Sequence, residues 1–281
     1  MNLAAELDSL KARGFSEDRA KIVVLIREAA VAIFRAFPDS FLLYGGANLI
    51  LFHNSTRHSA DLDLLALTTN IPEASEILTV LNSDLPPLAE LLKFAPLEIQ
   101  IAKSEKDFKK LYVSHGGRVL FTVDLTRMGS ILNHTEEYKF ESLTSSEVGI
   151  IKAASPNLLL LQKAEAFVLR KFVKARDAYD IKLLLDQGAT LHTANLNEHL
   201  SDVLRWNELD DEQIKEKINL VDNKRCAAEL KPVLPEDEFN ELLTADFKPL
   251  RRATAETFKE LDITRTNDRL VQHFIRSGED G

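Results

Sequence analysis

Apolar residues in the first half of the chain change spacing several times, between the period of a helix and that of a strand. Helical spacing over residues 20–37 and 71–81 predicts two helices, each with one apolar face. Short apolar runs with the length and alternation of strands lie at residues 41–44, 61–67, 97–101 and 118–125. Because these runs are separated by turn-forming residues and helices, the first half is predicted to fold around a mixed sheet with flanking helices.

The pattern changes after Ser155. Residues 157–173 and 175–187 have helical spacing, and the remainder has no convincing strand. The sequence therefore predicts an α+β fold in which a domain over residues 1–152, with helices at its amino terminus, precedes an α-helical domain over residues 153–281.

Composition limits the class of protein. The chain has 281 residues, is 45% hydrophobic, and carries a formal charge of -9, which argues against binding nucleic acid over the whole surface. Its single cysteine, Cys226, cannot form an internal disulfide or a cysteine-built zinc site. No apolar run reaches the roughly 18 residues of a spanning helix, and the amino terminus does not resemble a signal peptide, so we expect a cytoplasmic protein without a membrane partner.

A glycine pair marks the first candidate site. Gly45 and Gly46 follow a predicted strand directly and open a short helical segment, where exposed backbone amides and the positive helix end favour phosphate. A polar loop comes next, in which Arg57 and Ser59 are candidate nucleotide contacts. A simple tight turn would explain the glycines alone, but not their combination with the residues that follow the loop.

Those residues are carboxylates suited to a hard cation. Asp61 and Asp63 alternate along a predicted strand, so both side chains should lie on one face, about 7 Å apart along the backbone. Asp124 is predicted at the end of another apolar strand, where it would supply a third carboxylate and help to deprotonate an attacking hydroxyl. The sequence thus predicts an Mg²⁺ or Mn²⁺ site beside a phosphate-binding turn.

Two segments resemble one known family. The stretch LYGGANLILFHNSTRHSADLDLL, which starts at Leu43, is similar to the first motif of the AbiEii/AbiGii-type nucleotidyltransferases, a branch of the polymerase-beta-like superfamily that includes toxins of type IV toxin-antitoxin systems. The stretch LLLQKAEAFVLRKFVKARDAYDIKLLL, which starts at Leu159, resembles the later motifs of that family, a helical lysine followed by Arg-Asp-x-x-Asp. The resemblance implies a polymerase-beta-like nucleotidyltransferase domain followed by helices.

The resemblance also implies roles for individual residues. It implies that Gly45 and Gly46 line the phosphates, that Asp61 and Asp63 bind metal, and that Lys163 contacts the triphosphate of the nucleotide. Asp177 matches the later functional aspartate of the family, although an ion pair with a neighbouring cation would explain it as well. Ala47 stands where the family usually has a serine or threonine that binds phosphate, so its backbone amide would have to serve.

The expected function is transfer of a nucleoside monophosphate from a nucleoside triphosphate to an acceptor. The resemblance implies that the acceptor is tRNA or a protein, and that the protein is a toxin with a cognate antitoxin. Two alternatives stay open at this point: an enzyme that modifies a small molecule such as an antibiotic, and a catalytically silent nucleotide-binding module. Zinc-hydrolase, Walker-loop and serine-nucleophile patterns are not found in the sequence.

Overall fold

A computed structural model describes residues 2–67, 71–127, 135–144, 147–191 and 211–260 of the protein. The chain divides into two compact units, Met1–Ser155 and Pro156–Gly281. Within the described residues, no helix combines the length and the apolar character that crossing a membrane would require.

A seven-stranded mixed sheet forms the first unit. Its strands are β1 (Phe41–Tyr44), β2 (Asp61–Ala66), β3 (Glu98–Ser104), β4 (Phe108–His115), β5 (Arg118–Arg127), β6 (Thr135–Glu141) and β7 (Val148–Ala154). They are arranged in the order β3-β4-β5-β2-β1-β7-β6. Strands β2 and β5 pair in parallel, as do β1 and β7, while the other neighbours are antiparallel. The sheet therefore confirms the predicted mixed α+β class.

Four helices accompany the sheet: α1 (Leu3–Ala12), α2 (Glu17–Ala36), α3 (Gly45–Phe52) and α4 (Ala74–Leu92). Helix α2 contributes fourteen buried residues and lies against α4 and strand β7. Because so many of its side chains are buried, α2 belongs to the core of the first unit. One face of the sheet is therefore covered by packed helices. The opposite face carries the polar side chains described below.

Helix α4 corrects one predicted boundary. The helix expected over residues 71–81 begins at Ala74 and continues to Leu92, although Pro86 and Pro87 lie inside it. Buried side chains at Leu81, Leu85 and Leu88 keep helical spacing across the prolines, so packing on the sheet outweighs the backbone cost.

The described part of the second unit contains helices and no strand. Its helices are α5 (Pro156–Leu169), α6 (Ala175–Asp186), α7 (Asp211–Asn219), α8 (Asn223–Leu230), α9 (Glu236–Thr244) and α10 (residues 248–260). Helices α5 and α6 pack against each other, and α6 also contacts α8. Cys226 lies fully buried in α8, as expected for a structural cysteine.

Candidate active site

Three carboxylates share one face of the sheet in the first unit. Asp61 and Asp63 alternate with buried Leu62 along β2, so both point away from the packed face. On the neighbouring parallel strand, Asp124 is the direct partner of Asp63, and Thr122 is the partner of Asp61. The pairing of β2 with β5 therefore brings the three predicted acidic residues together.

The position of Asp124 within its strand differs from the prediction. Strand β5 does not end at Asp124 but continues to Arg127, because residues up to Thr126 pair with both β2 and β4. The expectation that Asp124 terminates a strand was wrong. Asp124 lies beside Asp63 because β2 and β5 pair in parallel at these residues, and not because the two strands end at the same edge of the sheet.

Hydrogen bonds connect the carboxylates to polar neighbours. The Thr122 hydroxyl lies 3.1 Å from Oδ1 of Asp61 and 3.0 Å from Oδ1 of Asp124, so it bridges them. The Lys110 ammonium donates to Oδ2 of Asp124 at 2.9 Å. Among the described residues, no three His, Cys, Asp or Glu side chains are arranged to hold a metal ion as they stand. The assignment of Asp61, Asp63 and Asp124 as joint metal ligands stays a prediction.

The glycine turn lies directly beside this acidic face. Helix α3 begins at Gly45, whose φ of 70° is in the region that favours glycine. A β-carbon on Gly45 would be 2.9 Å from Cγ of Asp63, and one on Gly46 would be 2.6 Å from Cβ of Ser59. Both positions therefore require glycine so that neighbouring side chains can approach the backbone of the turn.

The polar loop supplies a buried cation next to the same turn. Arg57 is 4% exposed, and its Nη2 atom lies 3.3 Å from where a β-carbon of Gly46 would stand. Its Nη1 atom donates to the His58 carbonyl at 3.3 Å, and its backbone amide donates to the Ser55 hydroxyl. Arg57 and Ser59, both predicted nucleotide contacts, thus lie against Gly46. Ala47 is different, because its methyl group is buried in the apolar core and offers no polar group to a phosphate.

Burial and charge alter the titration of two groups on this side of the unit. Burial, assisted by the charges of Asp63 and Asp124, raises the pKa of the Tyr44 phenol to about 12. Burial and nearby arginines lower the pKa of His58 to about 4. His58 is therefore neutral at physiological pH, and the positive charge of this loop comes from Arg57.

Sequence reasoning missed Lys110, Thr122 and Tyr44 as members of the site. Tyr44 lies beside Asp63 in the pairing of β1 with β2, and Lys110 lies beside Asp124 in the pairing of β4 with β5. The signal for β4 was present, because buried Leu111 and Val113 alternate with less buried residues. Without a predicted β4, Lys110 could not be placed beside Asp124.

The later motif forms an ionic cluster inside the second unit. The Lys163 ammonium lies 2.7 Å from Oδ2 of Asp180 and 4.0 Å from Oδ1 of Asp177. Arg170 forms an ion pair with Asp177, and both aspartates are almost completely buried. The cluster joins helices α5 and α6. An ion pair of Asp177 is present, but its cation is Arg170 and not the adjacent Arg176. The predicted contact of Lys163 with a triphosphate and the functional role of Asp177 stay predictions.

Comparison with known proteins supplies the family context. A model of the family described as nucleotidyl transferase AbiEii toxin, type IV TA system, matches residues 29–277. No curated protein matches the sequence.

Two solved structures from Helicobacter pylori show the same fold at low identity. A Helicobacter pylori protein described as a nucleotidyltransferase superimposes with a TM-score of 0.55 at 17% identity, covering 89% of this chain and 99% of that chain. JHP933 from Helicobacter pylori superimposes with a TM-score of 0.53 at 15% identity, covering 92% of this chain and 99% of its own. The nucleotidyltransferase toxin MenT4 from Mycobacterium tuberculosis has a TM-score of 0.41 at 15% identity, covering 65% of this chain and 63% of that one.

Proposed function

Because the protein belongs to the AbiEii nucleotidyltransferase toxin family, whose model spans most of its length, we propose that it transfers a nucleoside monophosphate in a metal-dependent reaction at the acidic face beside Gly45. One observation carries the proposal: Asp61 and Asp63 lie on the same sheet face, and Asp63 packs against the backbone of the Gly45 turn. Carboxylates for a hard cation and amides for phosphate are thus adjacent.

The chain's own residues would bind and orient the nucleotide. Backbone amides at the start of α3 would receive phosphate oxygens at the positive end of the helix, and the missing β-carbons of Gly45 and Gly46 let Asp63 and Ser59 lie against the same turn. The buried guanidinium of Arg57 adds a fixed positive charge at Gly46. Asp61 and Asp63 would hold a divalent ion, which neutralises phosphate charge when bound.

The proposed transfer is an in-line displacement. An acceptor hydroxyl attacks the α-phosphorus, a new phosphorus–oxygen bond forms, and pyrophosphate leaves as the bond to the β-phosphate oxygen breaks. The hydroxyl proton passes to solvent or to a nearby carboxylate. Tight packing of Asp63 against Gly45 keeps a carboxylate and the phosphate-binding backbone at a fixed separation, which favours alignment of the reacting groups.

The acceptor is assigned from the family and not from the site. We propose tRNA or a protein as the acceptor, and growth arrest relieved by a cognate antitoxin as the biological outcome. A small-molecule acceptor such as an antibiotic is the alternative, and each acceptor class predicts a different labelled product.

A transfer assay tests this function. The purified protein is incubated with each α-³²P-labelled nucleoside triphosphate, Mg²⁺ and, separately, total tRNA, total cell protein or an aminoglycoside. We expect label in one acceptor class, no transfer after addition of EDTA, and loss of transfer in the double variant Asp61→Asn/Asp63→Asn. Asp39→Asn is the matched control, because this aspartate is exposed and forms an ion pair with Lys152 outside the acidic face. Full activity of the double variant would refute the assignment of these carboxylates.

A silent nucleotide-binding module gives a different result in the same experiment. Calorimetry would then record Mg²⁺-dependent binding of a triphosphate while no acceptor became labelled. Expression in a bacterial host tests the toxin role separately: the wild-type protein should slow growth, and the double variant should not.

A further inference from the structure

Lys110 lies inside the acidic face and is fixed there by strand pairing. It is the direct antiparallel partner of Asp124 in the pairing of β4 with β5. Its ammonium lies 2.9 Å from Oδ2 of Asp124 and 6.0 Å from the centre of the Tyr112 ring. The two charged side chains are 26% and 18% exposed, so the pair is partly shielded from water. Lys110 is therefore a fixed cation of this face, in contrast to a mobile surface lysine.

Both oxygens of the Asp124 carboxylate already have partners. Oδ1 lies 3.0 Å from the Thr122 hydroxyl, whose single proton it shares with Oδ1 of Asp61, and Oδ2 accepts from Lys110. A magnesium ion that used Oδ2 as a ligand would have to share this oxygen with the Lys110 ammonium, which lies 2.9 Å from it. Two positive charges on one oxygen repel strongly in a partly buried site. The expected cage of three carboxylates therefore does not fit the side chains as they stand.

The balance of charge leads to the same conclusion. Asp61, Asp63 and Asp124 carry three negative charges, and Lys110 cancels one of them. The two that remain match one divalent ion, which Asp61 and Asp63 can hold together because they share a face of β2.

We propose that the Lys110 ammonium takes the place of a second metal ion at this site, so that Asp61 and Asp63 alone hold the divalent ion and Asp124 is not a ligand. The inference rests on the proposed function, because it concerns the same acidic face. Lys110 is a positioning residue: it holds Asp124 beside the metal-binding pair and relieves repulsion among the three carboxylates.

Counting bound Mn²⁺ ions tests the proposal without any enzymatic turnover. Mn²⁺ alone is titrated into the full-length protein, and the free ion is measured from its electron paramagnetic resonance signal. We expect one Mn²⁺ per wild-type chain and two per chain in Lys110→Gln, because Asp124 is then released to bind metal. The double variant Lys110→Gln/Asp124→Asn keeps the net charge of the wild type, and it should again bind one Mn²⁺. The number of bound ions decides the test, because loss of a residue that only orients a ligand can itself weaken metal binding about 10–100-fold.

Two further variants separate charge from position. Lys110→Arg keeps a cation beside Asp124 and should bind one Mn²⁺. Lys139→Gln removes a cation from the same sheet, but from an exposed site on β6, which lies three strands or about 14 Å from β2. This control should also bind one ion. Circular dichroism melts of each variant verify that the sheet is folded.

The possible results are distinguishable. Two Mn²⁺ ions per wild-type chain, or no bound Mn²⁺ in the double variant Lys110→Gln/Asp124→Asn, would identify Asp124 as a ligand and overturn the proposal while leaving the proposed function intact. If the Lys110→Gln variant still binds one Mn²⁺ per chain, the proposal is overturned as well. If the wild-type chain binds no Mn²⁺, the metal site of the proposed function is wrong. The proposed role of Lys110 is then wrong as well.

Discussion

Asp63 and Gly45 are packed so closely that a β-carbon on Gly45 would stand 2.9 Å from the Cγ atom of Asp63. Real β-carbons do not approach other atoms at this distance without displacing them. Gly45 also has a φ of 70°, which L-residues with side chains adopt at a cost. Glycine at position 45 is therefore required both by the backbone conformation of the turn and by the position of the Asp63 side chain.

A Gly45→Ala substitution should consequently impair the site more than the fold. The added methyl group must push the Asp63 carboxylate away, so we expect nucleotide transfer and triphosphate binding to fall at least about tenfold. Parallel measurements of transfer and of binding by calorimetry check this expectation.

Gly117→Ala is the matched control for backbone strain. Gly117 has a φ of 75°, close to that of Gly45, but a β-carbon there would meet nothing within 4 Å. This variant should lose about 1–2 kcal/mol of stability from the left-handed backbone alone and keep its activity. Equal loss of activity in both variants would contradict a specific role for the contact between Gly45 and Asp63.

The elements around the glycine turn could be predicted from the sequence because their signals are local. Alternation of Asp61, Leu62 and Asp63 identifies a strand with one buried face, and the Gly45–Gly46 pair marks the start of a helix. The resemblance to the AbiEii family added the fold, which the sheet and the solved structures confirm. Predicting these elements does not require the order of the strands in the sheet.

The pairing of Lys110 with Asp124 could not be predicted because it depends on neighbouring strands. Strand β4 lies between β3 and β5, and its register alone decides that Lys110, and not buried Lys109, faces the acidic site. A shift of one residue would exchange the two lysines between faces. Sequence periodicity gives the face of a strand but not the identity of its partner.

His58 should make the stability of the protein depend on pH. Its pKa is about 4 in the folded protein because of burial and the charges of Arg19, Arg57 and Arg118, partly opposed by Asp61. The unfolded chain, with an ordinary histidine pKa near 6.5, takes up a proton before the folded protein does. The contribution of His58 is complete above about pH 6.5 and is lost as the pH falls towards 4.

Urea denaturation at pH 7 and pH 4.5 measures this effect. Between these values, the wild-type protein should lose on the order of 2 kcal/mol more than a His58→Gln variant, since glutamine does not titrate. If both proteins lose the same stability, His58 is accessible to protons in the folded state.

Cys226 should be chemically inert while the protein is folded. The residue is fully buried, and burial, together with Asp222 and Glu229, raises the pKa of its thiol to about 12. Because the thiolate is the reactive species, iodoacetamide at pH 8 should leave the native protein unmodified and alkylate it completely in denaturing urea. Mass spectrometry reads both outcomes, and fast alkylation of the native protein would contradict the buried position.

Lys163 should contribute to the stability of the second unit whether or not it also contacts a nucleotide. Its ammonium lies 2.7 Å from Asp180, whose side chain is fully buried. A Lys163→Met variant leaves that carboxylate without its ammonium partner, and loss of one partner from a buried pair costs about 3–5 kcal/mol. Urea denaturation should detect this loss, and Asp180→Asn should be destabilised for the corresponding reason.

The double variant Lys163→Met/Asp180→Asn separates structure from chemistry. With neither charge present, the stability lost by the double variant should be smaller than the sum of the two single losses by at least about 1 kcal/mol, which is the signature of direct coupling. An inactive Lys163→Met protein alone cannot establish a triphosphate contact, because unfolding would have the same effect. Transfer activity that stays absent in the stability-restored double variant would support the contact implied by the AbiEii resemblance. Recovery of activity together with stability would instead assign Lys163 to the ionic cluster of helices α5 and α6 alone.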